Sequence, residues 1–476
     1  ERAVEYPVER VAEITGVPAE DITEAARFFA NAKRASIHWG VPIDMCPDGT
    51  SVAHGIICLW AITGNIDIPG GQVIARPSHE VSSYPYSTEA LVDLYGEELV
   101  KTLTEKRIGA DAYKMVKNFR GWAQPDMVID QIMTGEPYPI KGAWIQTANV
   151  LGGQAARANF HYEALKKLEF VAVVDLFYNP TIMALADIVL PSSTFPEKDS
   201  FRSWWAPLSI IKKRVQVGDC KTDWEINFEL AKRFNPEGTQ RWGSPMEYFN
   251  ERLAPSGKTF KDMEEAGGWL MPEDGPAKPY RRHERGLLRQ DGEPGFNTRT
   301  GKIEVYCTAY EDWDLDPLPF YTEPPQSPVS TPELHEKYPL IMITGARSQL
   351  FFHSEHRGIP WLREKEPDPY VEVHPETAAD YDVYDGEWIY LKNDLGKVKR
   401  KVMITKRVKP TEIQTLHGWW MPEQEGAEPN LFGVWDYQIN QLVPGPQESQ
   451  SGFGGGQYKT TLVTLEKINE GAQANG

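Results

Sequence analysis

The chain lacks a basic excess, a paired-cysteine motif and a long apolar run. Lys plus Arg total 50 against 68 Asp plus Glu in 476 residues, a net charge of −18. General nucleic-acid binders carry surplus cations to neutralise phosphates, so nucleic acid is not an expected partner. No uninterrupted apolar stretch reaches the roughly 18 residues that a bilayer-spanning helix needs, so no membrane span is expected. The four cysteines, Cys46, Cys58, Cys220 and Cys307, contain no Cys-x-x-Cys pair and no His pair completes a zinc pattern. Four thiols are also too few to staple a chain this long, and buried reduced cysteines are expected. An initiator Met is missing too. The sequence opens at Glu1 on two short amphipathic helices, the second from Ile22 to Asn31. A compact domain rarely starts with such helices and no partner strand, so a further N-terminal portion is expected.

What is present is ordinary globular composition, 41% hydrophobic and 25% charged, which argues against disorder or a rod. At about 150 residues per domain the length suggests three domains. Ala35–Gly40 reads as a short strand, followed by an apolar helix through Ile56–Ile62 and a turn at Ile68–Gly71. Ala143–Thr147 and Phe170–Asp175 read as strands, with helices after each, leading to Ile188–Pro191. The run Val171–Val174 is β-branched or small throughout, the pattern of a parallel strand buried on both faces. The fold class is therefore α/β, with a Rossmann-like doubly wound parallel sheet. Gly301–Tyr306 also reads as a strand, and the prolines between 313 and 332 have linker composition. Beyond Tyr338 short strands dominate, at 340–344, 370–373, 387–391, 398–404 and 461–465, and predict a C-terminal β-barrel.

Parallel strands present their C-terminal ends to ligands. After the 143–147 strand come Thr147, Asn149 and Gly152-Gly153, small enough for backbone N–H groups to approach a phosphate. Asp175 ends the next strand, where a carboxylate can accept from ribose hydroxyls. Both features also serve ordinary caps and turns. In the barrel half, Thr344, Arg347 and His353 combine a guanidinium fork with single donors and suit an anion. His353 and His356 have metal-like spacing, but no third ligand is near in sequence. Trp419-Trp420 is expected to pack at least one ring in the core. Gly452–Lys459 is a glycine loop entering a strand, either a backbone clamp for a ligand or a flexible turn.

Taken in order, these residues resemble the molybdopterin oxidoreductases of the DMSO reductase family. The resemblance rests on Ile37-His38-Trp39-Gly40, Leu59–Ile66 with Pro69-Gly70-Gly71, Asn149, Val173–Phe177, Ala186–Pro191 with Glu197, and Lys221–Ile226. It continues through Gly301–Glu304, Thr344–Arg347, Val373–Ala378, Asn440-Gln441-Leu442 and Tyr458-Lys459. The segments His417–Glu423, Phe432–Trp435 and Gly452–Gly454 are most similar to the acetylene hydratase, transhydroxylase and catechol dehydroxylase branch.

The resemblance implies a bis-molybdopterin guanine dinucleotide cofactor holding Mo or W. It implies oxygen-atom or hydroxyl transfer to a small-molecule substrate, with electrons through an Fe–S cluster. That cluster and the protein metal ligand would lie in the missing N-terminal portion, with an Fe–S electron-transfer subunit as a further partner. No metal ligand is assigned within this chain. Asn149, Asp175 and Asp187 would serve a guanosine or its phosphates. Thr344, Arg347, His353, Asn440, Tyr458 and Lys459 would serve pterins and phosphates. The barrel would be of the double-psi type. The implied domains are 1–78, the remainder of an α/β cofactor-binding domain; 79–330, a Rossmann-like dinucleotide domain; and 331–476, the barrel. A non-redox hydratase or transhydroxylase on the same fold, and a catalytically silent scaffold subunit, are the alternatives. The compartment would be bacterial cytoplasm or periplasm, the protein being soluble. One departure stands out: Pro42 and Met45 replace a Gly and a Gln that the family often shows after its early strand. Asp44 or Cys46 is expected to line the substrate side instead.

Overall fold

The computed structural model describes residues 2–43, 45–46, 48–74, 92, 96–118, 122–154, 156–202, 208–239, 242–270, 280–289, 291–346, 348–445 and 456–468. The chain forms two compact units with interleaved segments. The first comprises residues 1–40, 50–104 and 193–321; the second comprises 41–49, 105–192 and 322–476. The last crossing, between Tyr321 and Thr322, falls inside the proline-rich stretch.

In the second unit β1 (Gly142–Gln146), β2 (Phe170–Asp175) and β3 (Ile188–Pro191) form a parallel sheet in the order β1-β2-β3. Val171 to Val174 are all buried, as expected for the central strand. The helix Ala158–Leu165 connects β1 to β2, and Pro180–Leu185 connects β2 to β3. The second helix starts where it does because Asn179 Oδ1 accepts from the Ile182 N–H, with Pro180 in the first turn.

The first unit holds a small antiparallel sheet, β4 (Ser200–Arg202), β5 (Leu208–Ile211) and β6 (Trp269–Leu270), paired in that order. The helices Pro245–Leu253 and Phe260–Glu265 cover it, burying Leu208, Phe249, Leu253, Phe260 and Met263. Nearby, Glu197 accepts from Thr194, from the Val217 N–H and from the Cys220 thiol, and these bonds hold its carboxyl down to about 2. A salt bridge ties two remote segments of this unit. Arg282 and Asp67 are both buried; the Arg282 N–H donates to Asp67 Oδ2 at 2.8 Å and Nη2 to Oδ1 at 2.9 Å. Burial alone would raise the Asp67 pKa, but the Arg282 hydrogen bonds and charge bring it below the ordinary value.

Two expected strands are absent. Ala35–Gly40 is extended but joins no ladder among the described residues, and the Ala35 N–H donates instead to Asn65 Oδ1. Gly301–Tyr306 is irregular, because Glu304 turns back to accept from Thr300 and Thr308.

The rest of the second unit is a closed six-stranded barrel in the order β10-β8-β11-β7-β12-β9. Its strands are β7 (Leu340–Ala346), β8 (Tyr370–Val373), β9 (Trp388–Asn393), β10 (Gly396–Ile404), β11 (Glu412–Leu416) and β12 (Thr461–Lys467). The β10–β8 and β11–β7 pairs are parallel and the remaining four antiparallel. Alternation along β9 and β10 points Ile389, Leu391, Val398 and Val402 inward. Closure leaves no sheet edge to aggregate. Arg400 is also inside, where its Nε donates to Thr415 Oγ1 and its Nη2 to the Leu416 carbonyl; burial pushes it down to about 9. No helix among the described residues is long and apolar enough to cross a membrane.

Candidate functional site

A cavity of about 430 Å³ opens in the second unit where strand ends converge. Thr147 and Asn149 follow β1, while Asp175, Phe177 and Asn179 follow β2. Thr344 and Gly345 end β7, His417 and Trp420 follow β11, and Tyr458 and Lys459 precede β12. The loop 353–358, together with Asn440 and the segment with Val41, Pro42 and Met45, completes the wall.

Asn149 is nearly buried, and its Oδ1 accepts from the Gly152 N–H at 3.0 Å and from Thr181 Oγ1 at 2.8 Å. Those two donors fix the orientation of the amide and leave Nδ2 buried with no acceptor among the described residues. Asp175 accepts from its neighbour's Leu176 N–H and from Asn179 Nδ2 at 2.9 Å. Asn440 Nδ2 donates to the Gly153 carbonyl and Gln438 Nε2 to the Leu151 carbonyl, which docks the 438–442 turn onto the loop after β1.

The barrel side is basic. Arg357 is 1% exposed; its Nε donates to the Gly418 carbonyl at 2.7 Å and its Nη2 to the His353 and His417 carbonyls. The guanidinium lies 3.8 Å from the Trp419 ring centroid and 4.5 Å from that of Phe351. Among the described residues its Nη1 is buried without an acceptor, and no carboxylate there pairs with it. Burial pulls its pKa well below the ordinary value. His353 Nδ1 and His417 Nε2 are 2.7 Å apart and share a hydrogen bond. Lys459 Nζ donates to the Thr344 carbonyl, and Thr344 Oγ1 donates to the Tyr458 carbonyl at 2.8 Å. Burial pushes Tyr458 up to about 12.

His353 and His356 both have positive φ, at 53° and 67°, a conformation non-glycine residues hold only where the surroundings demand it. Gly418 makes the loop's approach possible. Its φ is 65°, and a Cβ there would lie 2.7 Å from the His353 carbonyl carbon and 2.8 Å from the Ser354 nitrogen. Gly418→Ala is therefore expected to push the 353–357 loop off the end of β11 and lower the unfolding midpoint, read by thermal denaturation; an unchanged midpoint would contradict this geometry.

Of the residues expected to bind cofactor, Asn149, Asp175, Thr344, His353, Asn440, Tyr458 and Lys459 line this one cavity. Asp187 does not. It sits at the opposite end of the sheet, where its carboxylate accepts from the Val171 N–H at 2.7 Å and its own N–H donates to the Val171 carbonyl. Cys46 is not among the lining residues; its thiol is 3.4 Å from the Pro42 carbonyl, and burial raises its pKa against the opposing charge of Lys459. Asp44, Arg347 and the glycines at 452–455 lie outside the described residues. Trp419 and Trp420 are both buried, and Trp420 Nε1 also donates to the Ser354 carbonyl. Sequence reasoning missed Arg357 and His417. The only linear signals were Arg357 four residues beyond His353 and the glycine after His417. Among the described residues no three His, Cys, Asp or Glu side chains converge to hold a metal ion.

Comparison with known proteins agrees with this architecture. Residues 24–233 match the family model "Molybdopterin oxidoreductase", and residues 340–460 match "Molydopterin dinucleotide binding domain". The chain is 30% identical to acetylene hydratase of Syntrophotalea acetylenica over 91% of its own length and 60% of that protein's. It is 28% identical to dopamine dehydroxylase of Eggerthella lenta, over 93% of this chain and 50% of that one. The chain thus spans half to three fifths of the length of these relatives. The solved structure of acetylene hydratase from Pelobacter acetylenicus superposes with a TM-score of 0.84 at 27% identity, covering 98% of this chain and 65% of that one. With both domains matched in order and the fold shared, the chain belongs to the molybdopterin oxidoreductases of the DMSO reductase family.

Proposed function

We propose that this chain forms part of the catalytic subunit of a Mo or W enzyme and holds a bis-molybdopterin guanine dinucleotide. The observation that carries this reading is the pair of buried, unpartnered donors on the cavity wall, Asn149 Nδ2 and Arg357 Nη1. Burying a donor without an acceptor costs free energy, so both positions favour a ligand rich in acceptors. Lys459 and Arg357 add positive charge on the same wall, which suits the pyrophosphate of a dinucleotide. Asp175 at the end of β2 suits the guanosine ribose. The residues present therefore fit the group.

When bound, the metal and its dithiolenes would supply oxygen-atom or hydroxyl transfer. The chain's own residues would position that cofactor and control protons beside it. The His353–His417 contact holds one proton between two ring nitrogens, because two N–H groups cannot face each other at 2.7 Å. The pair therefore carries at most one positive charge while it is closed, and can pass a proton without moving its backbone. Electrons would enter through an Fe–S cluster on further protein, either more of the same polypeptide or an electron-transfer subunit. The likeness to acetylene hydratase favours a second reading, a non-redox hydratase or transhydroxylase on the same fold.

Metal analysis and pterin release from the protein, expressed in a host that makes the cofactor, test the proposal. Two guanine dinucleotides per Mo or W are expected. Absence of metal and pterin would refute it in favour of a silent scaffold. Turnover that continues without any electron donor would select the hydratase reading.

A further inference from the structure

The loop from His353 to Gly358 lines the cavity along its whole length. Its backbone is strained at both histidines, with φ of 53° at His353 and 67° at His356. Side chains hold it against the end of β11. Arg357 Nε donates to the Gly418 carbonyl at 2.7 Å, and Trp420 Nε1 donates to the Ser354 carbonyl at 3.1 Å. His353 Nδ1 meets His417 Nε2 at 2.7 Å. Of these contacts, only the last joins two groups whose ordinary titration lies near neutral pH.

Two facing ring nitrogens this close share one hydrogen, so one of them must accept. The closed pair therefore carries at most one positive charge, whereas separated rings carry two once each is protonated. Histidine takes its proton near pH 6.5, so below that value the open arrangement binds more protons than the closed one. Closure is then lost as pH falls. The charged groups around the pair do not reverse this sign. Glu355, His356 and Arg357 share its loop, Asp175 ends β2, and Tyr458 and Lys459 precede β12. Arg363, Glu366 and Arg400 lie within electrostatic reach of Arg357. The Glu355 side chain is 58% exposed and screened by solvent, and Asp175 already accepts from the Leu176 N–H and Asn179. Arg357, by contrast, is buried and donates to the backbone carbonyls of both histidines, so its charge opposes a second proton on the closed pair.

We infer that the His353–His417 contact is a proton-operated latch. It holds the 353–356 segment over the cavity with one shared proton and releases it when a second is taken up. Arg357, anchored on the Gly418 carbonyl, is the hinge that stays in place. The latch follows from the contact between the two rings and not from what occupies the cavity, so a chain found free of metal and pterin would leave it standing.

Hydrogen exchange of the purified full chain, read by mass spectrometry at pH 7.5 and pH 5.5 and corrected for the intrinsic pH dependence of exchange, tests it. The Glu355 N–H, held by the Phe352 carbonyl at 2.9 Å, reports on the loop. Protection of residues 353–356 is expected to be about fivefold lower at pH 5.5, the effect of one proton taken up below pH 6.5. Protection of β9 and β10, in the same barrel, should change less than about twofold. His353→Asn keeps a residue that tolerates positive φ, and its amide can turn either oxygen or NH2 toward His417. His417→Gln does the same from the other side. Each variant keeps a hydrogen bond that protonation of the remaining ring does not break, so each should abolish the pH dependence. Equal protection at the two pH values in the parent, an equal fall in β9 and β10, or a pH dependence that survives in either folded variant would overturn the proposal.

Discussion

Arg357→Met is expected to reduce bound molybdopterin at least tenfold and to cost about 2–4 kcal/mol of folding stability. Arg357 ties the 353–358 loop to the exit of β11 through the Gly418 and His417 carbonyls and also donates to the His353 carbonyl of its own loop. Methionine fills much of the same volume against Trp419 and Phe351 but donates to none of the three carbonyls. The buried Nη1 donor, which has no acceptor among the described residues, is lost with them. Arg357→Lys separates the two roles. It keeps a cation of similar reach but loses the planar fork, so it should recover part of the loading and little of the stability. Pterin released per mole of protein and the urea midpoint are the measurements. Parent-level pterin in Arg357→Met would remove this residue from the cofactor site, whatever the midpoint.

Asp67→Asn should destabilise the first unit by about 3–5 kcal/mol, because it strands a buried guanidinium. The pair joins residues 215 apart in the chain, with side chains 4% and 0% exposed. An amide still offers Arg282 one oxygen, but its NH2 would face the guanidinium. Replacing both partners, Asp67→Leu with Arg282→Met, should be milder than the single change, since no orphan charge remains. The pH dependence follows the same logic. The folded-state pKa of Asp67 lies below the ordinary aspartate value, so its contribution is present above that ordinary value and is lost as pH falls through the folded pKa. Acid titration of stability should therefore be flatter in the double variant. A single variant as stable as the parent would refute the role of the pair.

The strands easiest to read were those whose patterns depend only on burial. Val171–Val174 is apolar on both faces because the strand is central in a parallel sheet. The alternation of Trp388–Asn393 follows from one face pointing into the barrel. Pattern misled where pairing decides. Ala35–Gly40 has strand composition, yet a strand exists only when a neighbour accepts its hydrogen bonds, and Asn65 takes the Ala35 N–H instead. The β4–β5 hairpin was passed over because its core partners, Phe249, Leu253 and Phe260, lie on helices some 40 residues downstream.

By itself the sequence determined the family resemblance, the α/β and barrel halves, and the small and polar residues that end β1 and β2. These are local properties, carried by residue type and spacing. Only the tertiary structure decided which of them meet. It brought Asn149 and Asp175 together with Thr344, His353 and Lys459, and sent Asp187 to the far end of its sheet. It paired His353 with His417 and buried Arg357 between two rings, because a histidine's partner and an arginine's burial depend on residues remote in the chain. The absences that mark the sequence, few cysteines and no basic excess, describe totals. The positive charge that matters is concentrated at Arg357 and Lys459, where the barrel's strand ends converge.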